Sequence, residues 1–123
     1  MPRDMPAHEL PLCERYRIAG VNWANARRKF RRYDKTDDIV FDELVVAIRK
    51  CAQENGERIT KTDAQTEARI SDTWKNFVDR MLEAEHQMNL AEVEKKALEM
   101  EMWERNDSNA TAREERRSYR TGG

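Results

Sequence analysis

Apolar residues recur along the start of this chain at alternating intervals of four and three: Leu12, Tyr16, Ala19, Trp23, Ala26, Phe30 and Tyr33. That is a heptad seam held through three repeats, and it predicts an amphipathic helix over 12–33. Pro2, Pro6 and Pro11 precede it without any apolar period, so residues 1–11 read as an extended arm, with Pro11 placed to open the helix. The polar run Asp34 to Asp37 predicts a loop, and Thr36, Asp37 or Asp38 can cap the next helix. That second helix is expected over 39–55. Its face is Phe41, Leu44, Val45, Ile48 and Cys51 or Ala52, and Asn55-Gly56 supplies a left-handed stop. The β propensity of Ile39-Val40-Phe41 leaves a short strand as the alternative there.

A third and longer helix is expected over 62–105, opened by the capping pattern Thr62-Asp63-Ala64-Gln65, with Ser71-Asp72 either continuing it or starting it afresh. Its seam reads Ile70, Trp74, Phe77, Met81, Ala84, Met88, Ala91, Lys95, Leu98 and Met102. At 1.5 Å per residue the stretch from Ser71 to Arg105 would extend about 50 Å, beyond what two short helices can cover. Its far half therefore predicts contact with another chain. Asn106-Asp107-Ser108-Asn109 interrupts the pattern, leaving 106–123 as a polar basic tail, either a short helix or disordered. The expected fold is all-α and oligomeric: one helical domain over 12–105, in which a short helical hairpin packs on the start of a long heptad-patterned C-terminal helix.

Composition strengthens the case for assembly. Hydrophobic residues make up 38% of the 123 positions and charged residues an equal 38%, a thin supply for a core, and small chains commonly gain the missing burial by self-association. Cys13 and Cys51 are too few for a secreted disulfide scaffold and read as buried thiols at core edges. No stretch reaches the roughly 20 apolar residues of a membrane span, and Arg3, Asp4, His8 and Glu9 stand where a signal peptide would be apolar. A cytoplasmic protein without membrane contact is expected.

The net charge of −1 hides an asymmetry. Residues 1–35 hold nine Lys/Arg against four Asp/Glu, whereas 36–105 hold ten against seventeen. A basic first helix beside an acidic middle suits either a polyanion bound on one face or assembly by charge complementarity. The candidate nucleic-acid contacts are Arg15, Arg17, Arg27, Arg28, Lys29, Arg31 and Arg32, interleaved with Trp23, Phe30 and Tyr33 as possible stacking planes. The competing explanation makes those aromatics core residues and the cations a helix end favoured by its dipole. Glu83-x-x-His86 has the spacing of a carboxylate-bridged metal site, but it occurs once, and the heptad register points His86 to solvent. No phosphate-binding glycine loop or nucleophile–base pair is present, so neither an enzyme nor a metal or other cofactor is expected.

The order of features Tyr16-x2-Ala19-x3-Trp23-x2-Ala26, then Trp74-x2-Phe77-x3-Met81-x2-Ala84, then Trp103 followed by Asn109-Ala110-Thr111-Ala112-Arg113 runs through about four fifths of the chain. It resembles the small phage-encoded helical recombination mediators of the UvsY type. The resemblance implies a non-enzymatic homo-oligomer that binds single-stranded DNA and assists recombinase loading in place of single-strand-binding protein. The seam residues Trp74, Phe77, Met81, Met88, Leu98 and Met102 would then serve core and assembly. The alternative class is a helical interaction module, an inhibitor or adaptor docking its acidic face on another protein without DNA affinity.

Overall fold

A computed structural model describes residues 10–121 and is all-α. It comprises α1 (Leu12–Glu54), α2 (Lys61–Ile70) and α3 (Asp72–Thr121), with no strand among the described residues. The arm expected over 1–11 is described only at Leu10 and Pro11; its other residues, His8 among them, and Gly122-Gly123 lie outside the described residues. No helix among the described residues is long and apolar enough to cross a membrane.

The two helices expected over 12–33 and 39–55 form one helix of 43 residues, so the predicted loop at 34–37 is absent and Ile39-Val40-Phe41 is helical. Asp34, Thr36, Asp37 and Asp38 are indifferent helix formers, costing together about 2–3 kcal/mol relative to Ala. No Gly or Pro interrupts the run, and both its ends are held by tertiary contacts. Tyr33 meets Phe77 edge-on at 5.6 Å between ring centroids, and Phe41 meets Trp74 at 5.0 Å. Such pairs contribute about 0.5–1.5 kcal/mol each beyond the area they bury, enough to offset the propensity cost. Thr36 caps nothing; its hydroxyl donates back to the Arg32 carbonyl at 2.7 Å inside the helix. The helix ends where Asn55-Gly56 predicts. Gly56 takes φ +74°, Gly56 N–H donates to Gln53 O at 3.1 Å and Glu57 N–H to Ala52 O at 2.9 Å, a Schellman closure that a left-handed glycine permits.

The helix expected over 62–105 is two. Thr60, rather than Thr62, caps α2, its hydroxyl accepting from Asp63 N–H at 3.1 Å. Ser71 divides α2 from α3 in an extended conformation. Its hydroxyl donates to Ala68 O at 2.6 Å and accepts from Trp74 N–H at 3.3 Å, so one side chain closes one helix and opens the next. Ile70, expected to begin the seam, is exposed beside this break. At the other end α3 runs through Asn106-Asp107-Ser108-Asn109 to Thr121, so the expected tail is a helical extension.

By contacts the chain forms two compact units. In Asn25–Met88 the later part of α1, all of α2 and the first part of α3 surround a core of Val45, Ala64 and Ala68, with Phe41, Leu44, Ile48 and Ile59 packed against it. Ala64 and Ala68, four apart and both 0% exposed, present only methyl groups and let α2 come close. In the other unit, described over 10–24 and 89–121, the first part of α1 lies antiparallel to the later part of α3. Ala19 and Leu98 are its buried residues. In the far half of the α3 seam, expected to need another chain, Lys95 and Leu98 pack toward the start of α1 in the same chain. Lys95 fits this seam because its ammonium sits 4.4 Å from the centroid of the Trp23 ring. Cys13 and Cys51, expected to be buried, are both exposed thiols.

Candidate nucleic-acid interface

The continuity of α1 changes what its cations mean. With the helix running to Glu54, residues 27–32 lie in mid-helix, more than five turns from its C-terminus, where the helix dipole does nothing for them. At 100° per residue Arg28, Arg31, Arg32 and Lys35 fall on one outer face, at positions i, i+3, i+4 and i+7. All four are exposed, and among the described residues none of them enters an ion pair. Like charges three or four apart repel by about 0.2–0.5 kcal/mol per pair. The row contains four such pairs, a repulsion partly offset by Asp34 and Asp38, three positions after Arg31 and Lys35.

Lys35 is the residue that sequence reasoning missed. Ending the first helix at Tyr33 places it in a loop; in the continuous helix it is the fourth member of the row. The rise from Arg28 to Lys35 is about 10 Å, the reach of about three phosphates at 3.4 Å per nucleotide. The row is bounded further along α1 by Asp37, Asp38, Asp42 and Glu43, four acidic residues within seven positions.

The other predicted contacts fall elsewhere. Arg27 and Lys29 are exposed at the flanks of the row, and Arg27 has interactions of its own. Arg15 and Arg17 belong to the other unit and are engaged there. Arg15 turns inward and pairs with Glu101 at 3.6 Å, and Arg17 makes a hydrogen-bonded ion pair with Glu14, one turn earlier. That hydrogen bond, helped by the guanidinium charge, lowers the Glu14 pKa and raises that of Arg17. The expected stacking planes are also committed. Trp23 carries Lys95 on its face, Tyr33 packs on Phe77, and Phe30 is half-buried in the seam. The surface offered to a strand is therefore a line of cations, suited to phosphates rather than bases.

Of the seam residues, Leu98 is buried, while Trp74, Phe77, Met81, Met88 and Met102 are half-buried along the inner side of α3. Trp74 stacks on Phe77 at 5.4 Å and 16°. His86 is exposed, and among the described residues no three His, Cys, Asp or Glu side chains group as metal ligands. Comparison with protein-family models, curated proteins and solved structures gives no match.

Proposed function

We propose that this chain is a non-enzymatic helical accessory protein that binds a nucleic-acid strand through its phosphates, using the row Arg28, Arg31, Arg32 and Lys35, and that it works as a homo-oligomer. The observation that carries the reading is the row itself: four cations without an ion-pair partner among the described residues, on one face of a mid-helix segment. Contact with about three phosphates per chain is weak, since non-specific binding is steeply salt-dependent. Useful affinity then requires several copies engaging one strand, where effective concentration multiplies weak contacts. The resemblance to phage recombination mediators supports reading the strand as single-stranded DNA and the role as recombinase loading in the host cytoplasm.

A second reading, a protein-docking module without strand affinity, is favoured by one observation: the aromatics that would stack on bases are used internally. Fluorescence anisotropy of a labelled single strand separates the two. Under the phosphate reading, replacing all four row residues with Ala lowers affinity at least tenfold while helicity and mass are retained. Equal binding by the wild type and the variant would refute the role of the row, and absence of wild-type binding at low salt would favour the docking module.

A further inference from the structure

The later part of α3 is apolar on two sides. Its inner side carries Ala91, Lys95, Leu98 and Met102 against α1. Nearly opposite, Leu90, Val93, Ala97 and Met100 recur at intervals of three, four and three, a second heptad spacing of exposed residues, of which Ala97 also borders a groove shared with Arg15, Ile18, Ala19 and Asn22 of α1. Leu90 is 50% exposed, Val93 66%, Met100 65% and the adjoining Trp103 68%. All lie within one unit and along about 20 Å of helix. Contiguous apolar patches of this kind are uncommon on monomers and mark interaction surfaces.

We infer that this outer stripe is where a second copy of the chain docks, with the two α3 helices parallel and in register. The inference rests on the proposed homo-oligomer and says which face makes it. The occupant and its direction follow from the charges beside the stripe. One flank carries Glu94 and Glu101, the other Asn89, Lys96 and Trp103. In a parallel pair each residue on the second flank faces the residue five positions later on the other helix. Lys96 then meets Glu101 of the second copy, and Asn89 meets its Glu94, on both sides of the seam. An antiparallel pair would set Glu94 and Glu101 of the two copies against each other and bring the two Lys96 flanks together. The ions are available for this exchange: among the described residues Lys96 is paired only with Glu92, one turn away at 3.1 Å, and both side chains are exposed. Glu101 keeps oxygen lone pairs beyond those used by Arg105 and Arg15. The stripe is two heptads long, at the lower limit of a specific interface even with its flanks, so the association depends on concentration.

The test uses the full chain with Cys13→Ser and Cys51→Ser, both at exposed positions. Adding Val93→Cys and oxidising should give a disulfide-linked dimer, because a parallel register sets residue 93 of each copy side by side. The paired substitutions Leu90→Glu and Met100→Glu should halve the mass seen by light scattering while circular dichroism keeps its helical signal. A monomeric wild type across the concentration series, an unchanged mass in the glutamate variant, or no cross-link in the Val93→Cys variant would each overturn the inference. Should the glutamate variant lose helicity, the cross-link decides alone. Strand binding is read separately: salt-sensitive binding by a wild type that stays monomeric leaves the phosphate reading standing and this inference refuted.

Discussion

The two units of this chain use the same kind of helix pairing and reach different degrees of burial. In Asn25–Met88, a short third helix and the aromatic group Phe41, Trp74 and Phe77 close a core around Val45, Ala64 and Ala68. In the unit over 10–24 and 89–121, two helices alone bury only Ala19 and Leu98, and four large apolar side chains stay on the outside of α3. Two helices meet along a single line, so each turns most of its surface to water; a third element encloses that line. The sparsely buried unit is accordingly the one that leaves an apolar face of α3 exposed, while the closed unit carries the cation row.

Substitutions can break this contrast in graded steps. Trp74→Ala should have the largest effect, about 3 kcal/mol, because it removes the ring that both Phe41 and Phe77 pack against. Thermal denaturation would show the fall in Tm. Leu98→Ala should cost about 2 kcal/mol and act locally. Hydrogen exchange would then speed up over 12–24 with little change over 41–68, and equal acceleration in both would contradict the division into two units. Ser71→Ala should cost about 1 kcal/mol, since one hydroxyl serves two helix ends. Arg15→Gln should change stability by less than about 0.5 kcal/mol in a denaturant titration, because its pair with Glu101 is partly solvated and loosely spaced.

The inner faces are readable in the sequence and the outer faces are not. Tyr16 to Tyr33 and Trp74 to Met102 repeat with a heptad period, and those positions are the ones the structure turns inward. The break at Ser71 is visible only as an alternative, because its hydroxyl acts through a backbone conformation that spacing does not encode. Residues 34–38 look like a loop when judged by propensity, and it is the contacts of Tyr33 and Phe41 on either side that keep them helical. That one misplaced boundary hides Lys35 from the cation row and gives the cluster a helix-end explanation it does not have. Residue type alone assigns Cys13 and Cys51 to the interior, although a thin helix packing leaves such edge positions exposed. The outer seam of α3 is overshadowed by the stronger inner one, since a helix expected to hold one apolar face is read for one face only.

Phosphate binding by the cation row is tested most directly by the salt dependence of strand affinity for the full chain and for the variant with Arg28, Arg31, Arg32 and Lys35 all replaced by Ala. Three neutralised phosphates on a single strand give a slope of log K against log salt of about −2, or about a 20-fold loss of affinity between 50 and 200 mM salt. The wild type should show at least that slope and the variant a much flatter one. The same slope in both would contradict phosphate binding by the row.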